Sequence, residues 1–413
     1  MRIAFVTPRY GTQIMGGAES AARMLAEHLV SECGADVEVF TTTALDHVTW
    51  EHELAAGDSE LHGVAVHRFA PTSGRDRAFY DLDTRLRLGP RHATRQEGDQ
   101  WVDLNGPVVP ALVDAVCDSS VDVVAFYPYL YYPTVRAIGR VPMPAVLHPA
   151  AHDEPALYLP AFRDTYERAD ALCYHTVAER SLVQRVHRVA DKHQIVLGLG
   201  VSPDAGTGRP GAEILGLGDR PYVVSVGRVD DHKGSTMLAA FFRHYKARHP
   251  GPLALALVGP VVSRIPPHPD VVVAGPLDEA DKWDVVGGAL VSISPSALES
   301  FSLVVLEAWA REVPVLVNAT CGPTREHAER SGGGLWFGSF AEFDAVLDRL
   351  VADEALRRDL AAHGKAYLDA NYRWPDLIRR YAMFLEDVVA RGRRTATASP
   401  APASPAPASP APA

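Results

Sequence analysis

The 413-residue chain is short of cysteine, of long apolar runs and of positive charge, and each shortage removes a class of protein. Its four cysteines, Cys33, Cys117, Cys173 and Cys321, lie far apart with no C-x-x-C spacing. That excludes a zinc ribbon or a disulfide frame and predicts reduced thiols in the core of a cytoplasmic protein. No window reaches the roughly 18 apolar residues of a membrane-spanning helix. The opening "MRIAFVTPRYG" holds too short an apolar run for a signal peptide, while peripheral contact with the inner face of a membrane stays open. A net charge of −11 argues against nucleic acid, whose binding surfaces are basic. What remains is an ordinary globular composition, 47% apolar and 22% charged, on a chain long enough for two or three domains.

Short apolar runs alternate with longer amphipathic stretches, the pattern of strands and crossover helices in a parallel sheet. "RIAFVTP" reads as the first strand. Residues 17–32 then place Ala21, Met24, Leu25, His28 and Leu29 on one helical face. "DVEVFTT" (36–42), "VDVVAFY" (121–127), "PAVLH" (144–148) and "ADALCYHT" (169–176) continue as strands. The grammar restarts at "PYVVSVG" (221–227), followed by "LALALVG" (253–259), "DVVVAG" (270–275), "ALVSISPS" (289–296) and "VPVLVNA" (313–319). Two βα series joined near residues 197–206 predict two α/β domains, with ligands at the carboxyl ends of their strands.

The segment 372–392 reads as a terminal helix with Pro375 near its start. The "ASPAP" repeats over 398–412 cannot support a core and predict a disordered, polyproline-like tail. Residues 72–100 read as irregular. Their arginines, Arg75, Arg77, Arg85, Arg87, Arg91 and Arg95, suit a solvated face balanced by Asp76, Asp81 and Asp83, or a site for an anionic acceptor or lipid headgroup.

Two segments carry candidate chemistry. In "SVGRVDDHKGS" the strand ends at Gly227, Arg228 follows, and Lys233 opens the next helix. A guanidinium and an ammonium there, beside a helix N-terminus, make an anion site. In "SALESFSLVVLEA" (296–308) Glu299 falls in the turn, with a helix expected from about Ser300. The free N–H groups of Ser300, Phe301, Ser302 and Leu303 would face the same cleft. Eight helical residues rise about 12 Å, too far for a close carboxylate pair, so Glu299 and Glu307 should touch different parts of one extended ligand. The plainer alternative has Glu299 capping the helix and Glu307 paired with a cation.

Together these segments resemble family 4 glycosyltransferases. "GRVDDHKG" looks like their G-R-x-x-x-x-K-G element, and Glu299 to Glu307 like their E-x7-E motif. "GGAES" (16–20), "AHDEP" (151–155), "GPLDEADKWD" (275–284), "PVLVNATCGPTRE" (314–326) and "RWPDLIRRY" (373–381) match further family segments in order. The resemblance implies a GT-B fold: residues 1–200 as a Rossmann-like acceptor domain, 201–372 as a Rossmann-like donor domain, 373–392 as a helix crossing back, and 393–413 as tail. It implies a retaining enzyme that takes a nucleotide diphosphate sugar as co-substrate, with no cofactor and no metal. Arg228 and Lys233 would neutralise the diphosphate, and Gly16 and Gly17 would let backbone approach it. Glu307 would accept the ribose hydroxyls and Glu299 would meet the sugar. Gly275, Pro276 and Leu277 would lie beside the donor base. The first-domain histidine would be His152, followed by Asp153, or His148. The acceptor, a glycan, lipid-linked sugar or small molecule, is left open. So are an epimerase, a sugar phosphorylase and a non-catalytic nucleotide-sugar-binding protein.

Overall fold

The protein is represented by a computed structural model that describes residues 1–14 and 16–398, with side chains as far as residue 392. Its first sheet comprises β1 (Arg2–Val6), β2 (Asp36–Thr42), β3 (Gly57–Leu61), β4 (Val64–Phe69), β5 (Val123–Phe126), β6 (Ala145–Leu147), β7 (Ala171–Tyr174) and β8 (His193–Val196). The second comprises β9 (Tyr222–Val226), β10 (Ala254–Val258), β11 (Val271–Gly275), β12 (Ser292–Ser294), β13 (Val315–Asn318) and β14 (Gly334–Phe337). The spatial orders are β3-β4-β2-β1-β5-β6-β7-β8 and β11-β10-β9-β12-β13-β14. Every pairing is parallel except the β3–β4 hairpin. Runs such as "VVAF" of β5 and "ALALV" of β10 are buried along their whole length, because helices cover both faces of a parallel sheet. β3, "GDSEL", is polar and exposed; it survives only as an edge strand on β4.

Each sheet grows outward in two directions from a central pair, β1 and β5 in the first, β9 and β12 in the second. At such a reversal of strand order neighbouring loops diverge and leave a crevice at the carboxyl ends. Across the domains, His47 after β2 lies within electrostatic reach of Arg228 after β9, and His152 after β6 within reach of Lys233 and Glu299.

The helix Gly17–Cys33 buries Ala21, Ala22, Leu25, Ala26 and Leu29 and stops at Gly34, whose left-handed φ of 60° closes the C-terminus. His28 on its flank stacks on Trp374 at 4.0 Å. Trp374 begins the last helix, Trp374–Ala398, with Pro375 in its first turn. Buried Leu377, Ile378, Tyr381, Leu385 and Val388 carry that helix across the first domain. Arg380 donates to the Val196 carbonyl at 3.0 Å and Tyr381 meets His148.

Three expectations need correction. The helix backbone runs on through residues 393–398, where the tail was expected to begin; the rest of the expected tail, 399–413, lies outside the described residues. Residues 72–100 are not irregular: they hold the helices Ala78–Arg87 and Arg95–Asn105, the second opened by a Thr94–Glu97 capping box. Short helices with few apolar positions leave little periodic signal. Of the four thiols, all free, only Cys173 and Cys321 are core; Cys33 is exposed and Cys117 half-buried. No helix among the described residues is long and apolar enough to cross a membrane.

Candidate active site

The second-domain half of the cleft starts where β9 ends. Asp230, 3% exposed, ties the loop together: its carboxylate takes the Arg228 Nε–H and the Lys233 backbone N–H, the latter at 2.6 Å. Gly234 has φ 75°, and a Cβ on it would stand 2.7 Å from the Pro295 carbonyl oxygen. Only glycine lets the β9 loop lie this close to the β12 loop. The closeness brings the Lys233 Nζ to the Glu299 Oε1 at 2.7 Å, joining residues 66 apart in sequence. Asp230 was not singled out from sequence, although a carboxylate three residues before the lysine is the signal that could have found it.

The turn after β12 also differs from expectation. The helix begins at Leu303 rather than about Ser300, and Ser302 before it sits at φ 75°. That left-handed conformation costs a non-glycine residue roughly 1–3 kcal/mol and is met chiefly at functional sites. Ser302 Oγ is buried without a partner among the described residues. Ser300 gives its carbonyl to the Thr176 hydroxyl at 3.3 Å. The Phe301 ring is turned into the hinge, against His175, His327 and Tyr372, so it does not line the crevice.

Because Glu299 precedes the helix, the helical-rise argument for its distance from Glu307 does not apply. The two carboxylates nevertheless have separate cations. Glu307 Oε1 lies 3.1 Å from the Lys282 Nζ, which also meets Glu279 at 2.7 Å. Glu307 Oε2 is buried with no partner among the described residues. Burial raises the Glu307 pKa and Lys282 only partly opposes it. Lys282 comes from the helix Glu279–Gly287, which Gly275, exposed Pro276 and half-buried Leu277 lead into.

In the first-domain half, Arg9 after β1 is 9% exposed and ion-paired to Glu19 at 2.6 Å. Gly16 lies under that pair: a Cβ there would come 2.3 Å from the Glu19 carboxylate and 2.9 Å from the Arg9 guanidinium. Gly17 faces open space. The histidine alternative is resolved by position. His148 is fully buried, with Nε2 2.7 Å from the Tyr381 hydroxyl, and burial holds it well below the usual imidazole pKa. It belongs to the packing of the last helix and not to the cleft.

His152 faces the second domain, within electrostatic reach of Glu299 and Lys233. Burial lowers its pKa, but Glu154, with Glu299 beyond, outweighs this and leaves it raised. Its Nδ1 stands 3.7 Å from Glu154 Oε1, a charge contact rather than a hydrogen bond. Its carboxylate partner is therefore Glu154; Asp153 accepts from the Tyr158 hydroxyl at 2.6 Å.

The domains are also joined outside the crevice. Glu326 of the second domain accepts the backbone N–H groups of Val177 at 3.2 Å and Ala178 at 2.5 Å, capping a first-domain helix, Val177–Val186. Sequence reasoning gave this residue no part.

Residues 212–367 match the family model described as Glycosyl transferases group 1. A "Glycosyltransferase 1 domain-containing protein 1" of Xenopus tropicalis is 26% identical over 153 residues, 34% of this chain and 43% of that protein's length. Among solved structures, sucrose-phosphate synthase from Thermosynechococcus elongatus superposes with a TM-score of 0.71 at 18% identity, covering 94% of this chain and 99% of that one. An Anabaena protein solved in complex with UDP and glucose gives 0.67 at 16%, covering 94% and 100%. At these identities the superpositions establish the fold, and the family match covers the second domain. Taken together, they give this chain a GT-B architecture whose second domain matches the glycosyl transferases group 1 model, while the chain spans less than half the length of the first curated relatives it matches.

Proposed function

We propose that the chain moves a sugar, with retention at the anomeric carbon, from a nucleotide diphosphate donor in the second-domain half of the cleft to an acceptor hydroxyl in the first-domain half, in the manner of family 4 and without a metal. On this reading the bond from the anomeric carbon to the diphosphate breaks as the bond to the acceptor oxygen forms, and the acceptor's hydroxyl proton passes to the departing diphosphate. Negative charge gathers on the departing diphosphate, where Arg228, Lys233 and the amide end of the helix Leu303–Ala310 receive it. Glu299, paired to Lys233, meets the sugar, and His152 approaches it from the other domain. Residues 1–200 would serve the acceptor and 201–372 the donor, in the cytoplasm.

The observation that carries the reading is Glu307 Oε2: a carboxylate oxygen buried without a partner among the described residues, on the helix that starts in the β12 turn. Buried polar atoms are almost always satisfied, and the ribose hydroxyls of a nucleotide are donors of the right kind. The likeness to a protein that holds UDP and glucose makes UDP the first base to try. A thermal-shift screen of UDP-, GDP-, ADP- and TDP-sugars tests the proposal, since a ligand bound only to the folded state raises Tm by mass action. One nucleotide should raise Tm in the wild type and much less in Glu307→Gln. No shift with any nucleotide, or equal shifts in both proteins, would overturn it.

A further inference from the structure

Eight of the first domain's seventeen arginines stand within 4 Å of a carboxylate. Arg85 pairs with Glu97, Arg87 with Asp83, and Arg95 with Asp99 and Asp164. A cavity of about 210 Å³ lined by Arg95, Arg136, Arg140 and Arg168 is balanced in the same way by Asp99, Asp103, Asp114 and Asp164. Arg75, in the loop after β4, belongs to the remainder, as does Arg68. Arg75 is half-buried and has no carboxylate partner among the described residues.

Neutral acceptors hold it instead. Its Nε and Nη2 donate to Asn105 Oδ1 at 3.2 and 2.9 Å, and Nη2 donates to the His47 carbonyl at 3.1 Å. Phe79 lies under the guanidinium at 4.9 Å. Among the described residues no hydrogen bond or ion pair engages Nη1, so part of a rigid, permanently charged fork is left over. Nearby Asp46 is turned to its own loop, accepting from the Val48 and Thr49 amides at 2.7 Å each.

The clamp ties this charge to residues that neighbour the cleft. The Trp50 indole N–H donates to the Asn105 carbonyl at 2.9 Å, and its ring meets Tyr131, in the loop after β5, edge-on at 5.1 Å. The Tyr131 phenol, held high by burial, is within electrostatic reach of Glu19, Arg9, Arg75 and Glu154. His47, whose carbonyl Arg75 holds, lies within reach of Arg9 and of Arg228 from the second domain. Arg9 is cancelled by Glu19, and Arg228 by Asp230. Arg75 keeps its charge uncompensated beside them.

We propose that Arg75 forms an oxyanion subsite in the first-domain half of the cleft, and that the acceptor is a small hydroxylated molecule bearing a phosphate seated there. The proposal rests on the glycosyl-transfer reading and names the acceptor class for it. Phosphate is preferred to carboxylate because a dianion gains more from an uncompensated guanidinium.

Inorganic phosphate is the probe, titrated by calorimetry into protein whose donor half is filled with the nucleoside diphosphate that binds. Arg75→Ala should weaken phosphate binding at least tenfold while nucleotide affinity stays the same. Arg75→Gln can keep the links to Asn105 and His47 without the charge, and should weaken it equally. Wild-type phosphate affinity in Arg75→Gln would mean that Arg75 only braces the loops, and would overturn the proposal. So would failure of phosphate to bind the nucleotide-loaded wild type. Acetate should bind more weakly; acetate as tight as phosphate would overturn the assignment of phosphate. If no nucleoside diphosphate binds at all, the glycosyl-transfer reading fails separately. Phosphate titrated into the unloaded wild type and Arg75→Gln still decides whether Arg75 holds an oxyanion.

Discussion

In the second-domain half of the cleft each of three cations stands within 4 Å of a carboxylate: Arg228 with Asp230, Lys233 with Glu299, Lys282 with Glu307. In the first-domain half Arg9 and His152 are paired likewise, but Arg75 is not. A lattice of fixed, paired charge suits a ligand whose chemistry is the same in every turnover, since the groups need no rearrangement as charge develops. A half with one unpaired cation on loops from several strands suits a ligand that the protein must select. The comparison is sharpest at Lys233. Lys233→Ala should lower turnover about a hundredfold or more, a loss of roughly 2.7 kcal/mol or above, typical of a removed electrostatic donor. Near wild-type rates would remove the distinction between the two halves, because the best-placed cation of the fixed lattice would then have no catalytic weight.

Glu307→Gln tests the same half at its far end. The amide keeps the size of the side chain but loses the charge that Lys282 meets and one acceptor. Nucleotide affinity should fall about tenfold, roughly 1.4 kcal/mol, with the loss in KM more than in kcat. A loss confined to kcat would move Glu307 from holding the nucleotide to acting on the reacting sugar.

The two halves were unequally legible from sequence. In the second, the residues that meet lie in two compact segments, each at the end of an apolar strand, so spacing alone brought Arg228, Lys233 and Glu299 together. Composition held a further signal: the chain has five lysines, Lys192, Lys233, Lys246, Lys282 and Lys365, and two of them sit here. Asp230 and the left-handed Ser302 were not legible, since each takes its meaning from backbone geometry. The first half draws Arg9, His47, Arg75, Tyr131 and His152 from loops after β1, β2, β4, β5 and β6. No local pattern links them. His148 shows the same limit: it ends an apolar strand as a site residue would, yet the last helix, more than 220 residues on, covers it.

The halves must also stay in register, and Glu326 is the residue that fastens them at two amides. Glu326→Ala should cost about 1 kcal/mol, as other lost helix caps do. It should act mainly on domain docking, so that a single calorimetric transition broadens or splits. An unchanged single transition would show that the hinge aromatics around Phe301 hold the domains without help.

The smallest expected effect concerns pH. His152 is raised above the ordinary imidazole value, so its pairing with Glu154 stabilises the folded state fully below pH ~6.5 and the benefit fades as pH rises through the folded pKa. Glu154 is held below the carboxylate range: burial acts upward, but His152 and the Tyr129 hydroxyl outweigh it. Its contribution is therefore present above pH ~4.3 and disappears only in stronger acid. The pair should be worth most between those limits, on the order of a few tenths of a kcal/mol because His152 is about a third exposed. Melting temperatures of the wild type and Glu154→Gln should differ most near pH 5.5 and converge as pH rises through the folded pKa of His152, while the His152 titration followed by NMR moves down in the variant. A constant gap from pH 5 to 9 would mean that Glu154 acts through Tyr129 alone. His152 would then titrate without help from its own domain, and the charges that bear on it would be Glu299 and Lys233 of the second-domain half.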